Sequence, residues 1–185
     1  MRLVLLFLLV ITALLVAGSG FAQPGMIALY SDLAFTDCFL VDGAPGLVSV
    51  FAVHNFTDGA TASQFAIAEN HAMSYLAYAS AHQVNVGNDP RVGVAVTYDA
   101  GCSVGPILLG TISYFANGLS PLCSDIAVVP DPVAASGQIE GVDCFFNSTF
   151  PFSERLLING DGTCFCGPLP ATEESTWGGV KALYR

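Results

Sequence analysis

Six cysteines, Cys38, Cys102, Cys123, Cys144, Cys164 and Cys166, constrain this chain more than any other feature. All lie downstream of an apolar leader, the arrangement of a chain exported to an oxidising compartment. There an even cysteine count reads as a framework of disulfides, here three. Six cysteines allow 15 connectivities, and their spacing selects none of them. The favoured pairing is Cys102 with Cys123, which would staple the two ends of the intervening apolar run. Closing a loop of about 20 residues should stabilise by roughly 3 kcal/mol. Cys144 is then expected to pair with Cys164 or Cys166, and Cys38 with the one left over. A zinc site would want paired Cys-x-x-Cys or His spacing, which Cys164-Phe165-Cys166 does not supply. A redox thiol would want a flanking base or a helix start, and none is visible. No metal or cofactor is therefore expected.

Arg2 precedes an apolar stretch from Leu3 to Val16, and small residues follow up to Ala22. A short basic start, about 14 apolar residues and a small-residue border match a signal peptide cleaved after Ala22. The run is shorter than the roughly 20 residues a membrane span needs, and no later stretch is apolar enough to span. Residues 1–22 are thus expected to be a signal helix, 23–166 one domain, and 167–185 a linker and flexible tail. Removing Arg2 leaves Arg91, Arg155, Lys181 and Arg185 against 15 acidic residues. That balance opposes phosphate backbones and anionic membrane surfaces, so nucleic acid is not an expected partner.

The domain reads as β-rich. Strand candidates are Met26–Tyr30, Gly46–His54, Thr61–Ala68, Arg91–Tyr98, Pro106–Phe115 and Gln138–Phe145. Between them lie turn signals such as Asp42-Gly43-Ala44-Pro45, Gly87-Asn88-Asp89-Pro90 and Asn159-Gly160-Asp161-Gly162. Short strands with frequent turns predict an all-β, disulfide-bonded antiparallel β-sandwich, immunoglobulin-like in general architecture. Glu69–His82 fits either a helical or an alternating pattern, and an irregular crossover is expected there.

Several segments carry a family resemblance. They are Gly25–Tyr30, Pro45–Ala68, Val84–Gly93, Gly105–Ile112, Asp131-Pro132, Asp143-Cys144 and the Gly160–Cys166 ending. Together they resemble a family of small secreted bacterial proteins with cysteine-paired β-rich domains and no assigned activity. The resemblance implies export and a disulfide-bonded fold. The ending Thr176-Trp177-Gly178 with Lys181–Arg185 is similar to C-terminal endings of other exported proteins from such bacteria.

Motifs for chemistry are thin. Gly101-Cys102-Ser103-Val104-Gly105 matches the nucleophile-elbow pattern in letters, but an elbow needs a strand, a sharp turn and then a helix. Here Pro106 and a β-branched run follow, and His54, His71 and His82 all precede Ser103. That order would suit a chymotrypsin-like triad, with Asp99 as the nominal acid. Asn159–Thr163 is a candidate calcium loop with few oxygens, and a plain β-turn explains the same letters. Asp131, Glu140 and Asp143 are nominal glycosidase carboxylates whose spacing across a cleft sequence does not give. Asn55-Phe56-Thr57 and Asn147-Ser148-Thr149 fit the glycosylation sequon, which is idle in a typical bacterium.

With no reaction specified, the leading expectation is a secreted or periplasmic, non-catalytic structural or binding module, with no catalytic residues assigned. The alternatives are a secreted hydrolase with a dispersed active site, or a carbohydrate-binding module using Tyr78, Tyr98, Phe145 or Phe146. A protein or carbohydrate partner is expected in either binding case.

Overall fold

The computed structural model describes residues 23–166. The expected signal helix and tail lie outside the described residues. Within them the chain forms strands and no helix. The strands are β1 (Met26–Tyr30), β2 (Phe39–Leu40), β3 (Gly46–Asn55), β4 (Ala60–Asn70), β5 (Ser74–Ser80), β6 (Val84–Val86) and β7 (Val94–Thr97). Then follow β8 (Ile107–Ala116), β9 (Ser124–Val129), β10 (Glu140–Asp143), β11 (Ser148–Thr149), β12 (Phe152–Ser153) and β13 (Arg155–Ile158). No described helix is long and apolar enough to cross a membrane.

Two sheets make the sandwich. The first has the order β12-β1-β3-β8-β5; the second runs β11-β10-β4-β9-β13-β2, with β7 and β6 added alongside β4. Pairing is antiparallel except for two short parallel pairs, β1 with β12 and β13 with β2. β4 is the hub of the second sheet. Its first half pairs with both β10 and β7, and its second half with β9.

Alternation explains the layering. A strand sends successive side chains to opposite faces, so Val50 and Ala52 of β3 point into the core while Leu47, Ser49 and Phe51 point away. Ile27, Leu29, Val50, Leu109, Ile112 and Tyr114 of the first sheet pack against Phe65, Ile67, Val94, Ile126, Val128, Leu156 and Ile158 of the second. On β8 the inward phase changes at a bulge opposite Ala52/Val53, so Leu109 and Ile112 both face inward. Gly110 marks the spot, because a Cβ there would lie 2.6 Å from the Tyr78 hydroxyl oxygen. A smaller cluster of Ala28, Tyr30 and Val53 lies apart from the main core, closed over by Phe35.

The segment expected to be an irregular crossover is a strand: Ser74–Ser80 pairs along β8, with a bulge at Leu76. It forms a strand because Tyr75 and Tyr78, brought to one face by the bulge at Leu76, pack against the main core, and the alanines cost a strand little when the sheet is already formed.

The disulfides are Cys38–Cys166, Cys102–Cys144 and Cys123–Cys164. The expected Cys102–Cys123 pair is therefore wrong, as is any pairing of Cys144 with Cys164 or Cys166. A strand rises about 3.3 Å per residue, so the ends of the ten-residue β8 stand far beyond disulfide reach, about 7 Å between Cα atoms. Cys102 instead lies beside Ser103, which exchanges backbone hydrogen bonds of 2.8 and 2.9 Å with Ala60. Asp143 pairs with that same Ala60, so Cys144 arrives with its Cα 5.1 Å from that of Cys102. Gly59, at φ +146°, leaves room for the bridge: a Cβ would sit 2.6 Å from the Cys144 sulfur.

With its ends separated by 42 positions in the sequence, the Cys102–Cys144 bridge should contribute about 4 kcal/mol. Replacing both cysteines by serine is expected to lower the urea-unfolding free energy by about that amount. A loss under about 1 kcal/mol would contradict this placement of the bridge.

Candidate functional site

The residues singled out in the sequence do not converge. Ser103 donates its hydroxyl to the Gly101 carbonyl at 3.2 Å, on a stapled loop rather than an elbow. His82 Nδ1 accepts the Asp99 backbone N–H at 3.2 Å and lies 3.7 Å from its carboxylate. That brings the nominal acid to a histidine, but Ser103 makes no hydrogen bond to either. The serine that does meet a histidine is one the sequence did not single out. Ser63 on β4 sits 3.1 Å from His54 Nδ1, Tyr98 lies 2.8 Å from that nitrogen, and the Ser63 and Tyr98 hydroxyls bond each other.

This trio is sealed in the core: His54 is 0% exposed and Ser63 and Tyr98 are 2% exposed. The Pro24 carbonyl, 2.8 Å from His54 Nε2, only accepts, so Nε2 carries the proton and Nδ1 accepts from Tyr98. The group joins β3, β4 and the chain entry at Pro24 and is closed to substrate. Tyr98, one of the four aromatics considered for a sugar platform, is thus a core residue, whereas Phe145 and Phe146 are 81% and 83% exposed. Tyr78 is half-buried with its hydroxyl given to the Leu109 carbonyl at 3.1 Å, and burial pushes its pKa up to about 12.

The carboxylates hold turns. Asp131 accepts from Gln64 Nε2 and Val133 N–H, each at 2.9 Å. Asp143 accepts from Phe145 N–H, Asn147 N–H and Asn147 Nδ2, and the Asn147 bonds followed by the Phe145 bond hold it below the usual carboxylate range. Asp161 takes both the N–H and the hydroxyl of Thr163, which is the β-turn reading of the calcium-loop letters. Cys123 and Cys164 lie close to it, but their sulfurs are spent in a disulfide. Asn55 of the first sequon is buried with its amide donated to the Tyr30 hydroxyl, whereas Asn147 is exposed.

Asp42, unremarked in the sequence beyond its turn, is a second buried anchor. Its carboxylate accepts N–H bonds from Asn117 (2.9 Å), Gly118 (2.6 Å) and Ser120 (3.0 Å). Asn159 completes the clasp, accepting the Asp42 N–H and donating to the Ser120 carbonyl, both at 2.8 Å. Burial alone would raise the Asp42 pKa, but the bonds from Ser120, Gly118 and Asn117 outweigh it and hold the pKa down.

An open site remains at the other end of the molecule. A hollow of about 460 Å³ is lined by Gln23, Pro24, Gly25, Met26, Phe56, Phe152 and Glu154. Phe56 and Phe152 are each 69% exposed. Phe56 holds φ +55°, a conformation costly for a bulky side chain, at the β3–β4 turn. Phe152 is fixed where β12 joins β1, its N–H donated to the Gly25 carbonyl at 3.1 Å. Glu154 N–H bonds the Ile27 carbonyl at 3.0 Å, and burial raises its carboxyl pKa. Gln23 is held by its N–H to the Asp58 carboxylate at 2.8 Å. Sequence gave no signal for this set, because its members come from three separate stretches.

The fold and these sites define a disulfide-stapled all-β sandwich with an aromatic-walled surface hollow. Neither a protein-family model nor a curated protein matches the chain. Among solved structures it is similar to the sixth cohesin of Acetivibrio cellulolyticus scaffoldin B, solved in complex with a Cel5 dockerin mutant. The likeness has a TM-score of 0.47 at 10% identity, covering 74% of this chain and 99% of that one. A likeness of that size carries nothing about what this chain binds.

Two tests follow from the buried groups. Burial lowers the pKa of His54, opposed by its bond to Pro24, and of His71, opposed by Glu69, Asp42 and Asp125. Their folded values therefore lie below the unfolded value of about 6.5. As pH falls the unfolded state binds protons first, so stability is full above about pH 6.5 and drains below it. The urea midpoint should be lower at pH 5 than at pH 7.5, before carboxylates titrate near about pH 4; a flat profile would contradict the buried neutral imidazoles. Asp42→Ala strands three backbone donors and should cost about 3 kcal/mol or more, with Asp42→Asn costing less. Equal, sub-kilocalorie losses in the two variants would refute the clasp.

Proposed function

We infer that the protein is an exported, non-catalytic binding module and that the Phe56–Phe152–Glu154 hollow is its ligand site. The observation that carries the reading is two large aromatics held exposed on backbone-bonded supports beside a half-buried carboxyl. Exposed Phe rings cost a soluble domain and are useful when a partner covers them. Rigid supports reduce the ordering a ligand must impose on binding. The chemistry fits an apolar face carrying a hydrogen-bond donor or a cation, directed at Glu154. A sugar ring and a lysine or arginine side chain of a partner protein both belong to that class. Export is supported by the three disulfides and by the leader. Cleavage after Ala22 would leave Gln23 on the rim of the hollow.

The test is a titration of the secreted protein with an oligosaccharide panel and with short basic peptides, followed by amide and side-chain NMR shifts. Saturable shifts centred on Phe56, Phe152 and Glu154, weakened at least tenfold by Phe56→Ser with Phe152→Ser, are expected. Turnover of glycoside, ester or peptide substrates that is lost on replacing a histidine or carboxylate would overturn the reading in favour of a hydrolase. Binding whose shifts avoid the hollow would move the site elsewhere.

A further inference from the structure

The protein carries a formal net charge of −10, yet the first sheet bears none of it. No Asp, Glu, Lys or Arg occurs in β1, β3, β5, β8 or β12. The second sheet, by contrast, carries Glu69, Asp125, Glu140, Asp143 and Arg155 on its strands. The inward face of the first sheet is core, so a lack of charge there is expected. Its outward face is not. Near β1 that face is closed by Phe35 and the cluster around Tyr30. Across β3, β8 and β5 it stays open.

Register defines the open part. Leu47, Phe115 and Ser74 form one rung and Ser49, Ser113 and Ala77 the next. In the third, Thr111 and Ala79 pair beside Phe51, which packs against the Tyr30 cluster and bounds the open part. Leu47 is 77% exposed, Phe115 41%, and Leu76 at the β5 bulge 50%. The middle of this face is lined by the small side chains of Ser49, Ser113 and Ala77, and its corner is apolar. Beyond it, β5 pairs with no described strand other than β8. β5 is the longest edge strand of either sheet and carries no charge or proline, the devices by which exposed edges are normally protected from pairing.

We propose that this face is the contact between two copies of the chain. Charge selects the occupant. Two equally acidic copies repel one another wherever their carboxylates meet, and the strands of the β3–β8–β5 face carry none. A partner of opposite charge would be drawn to the acidic loops and the second sheet instead. Depletion of charge at the centre of a patch is also the compositional mark of protein interfaces. Small residues on both sides let two sheets pack face to face at the usual spacing of about 10 Å. The Leu47–Phe115–Leu76 corner supplies the apolar area, and a two-fold arrangement makes the same patch serve both copies. The hollow at Phe56 and Phe152 involves β1 and β12 at the opposite edge of the sheet, so dimer contact and ligand binding do not compete.

Sedimentation velocity on the secreted protein, from micromolar to millimolar concentration and at low and high salt, tests the proposal. The expected result is a reversible monomer–dimer equilibrium that tightens with salt, because salt screens the remaining like charge. Ser113→Arg, at the centre of the patch, should weaken the dimer at least tenfold with an unchanged far-UV spectrum. Ala77→Glu on the exposed edge gives the same reading should Ser113→Arg misfold, and Val133→Arg, away from the patch, should change nothing. A monomer at every concentration overturns the proposal, including a monomer that instead binds a different protein through this face. A dimer indifferent to both patch variants overturns it as well.

Discussion

Ile27, Leu29, Val50, Leu109 and Ile112 on one sheet bury against Phe65, Ile67, Ile126, Leu156 and Ile158 on the other, and the remaining structure depends on that contact. Each large aliphatic or aromatic side chain taken fully from water contributes about 1.5–3 kcal/mol, opposed by the entropy of ordering the chain. A sheet has two faces, and committing one to the core decides what the other can do. In the second sheet the outward face carries polar and charged residues. In the first it is partly closed by Phe35 and otherwise left neutral.

The disulfides and buried polar groups secure the places where this core ends. Cys102–Cys144 closes the edge at Ala60, where two loops meet β4. Asp42 and Asn159 tie the β8–β9 loop to the turn before β3 and to the end of β13. Cys38–Cys166 and Cys123–Cys164 pin the last described residues beside β2 and β9. Chemistry-bearing side chains are consumed in this work. His54, Ser63 and Tyr98 look like reactive company by type, but they are enclosed and serve to satisfy one another between the sheets.

The β-rich class, the sandwich and six of the strands were legible because alternation and turn residues are local signals. Met26–Tyr30 is read as a strand from its own five apolar and aromatic residues. β9 and β13 were missed: Ser124–Val129 and Arg155–Ile158 are short apolar runs whose strand character comes from pairing with each other, and with β4 on one side and β2 on the other. The pairings expected for Cys102 and Cys144 failed for the same reason, since these two meet only through Ala60 on a third segment, whereas Cys38 does pair with Cys166, one of the two partners expected for it. The hollow is the extreme case. Phe56 and Phe152 are unremarkable as letters, and their exposure is set by a left-handed turn residue and a two-residue parallel strand.

The most direct test of this account is the disulfide map of the protein, because each bridge reports a different long-range meeting of strands. Non-reducing peptide mass mapping should recover Cys38–Cys166, Cys102–Cys144 and Cys123–Cys164 and no free thiol. A Cys102–Cys123 bridge, or free thiols at Cys102 and Cys144, would mean that β4 does not bring those two loops together, and the topology described would be wrong.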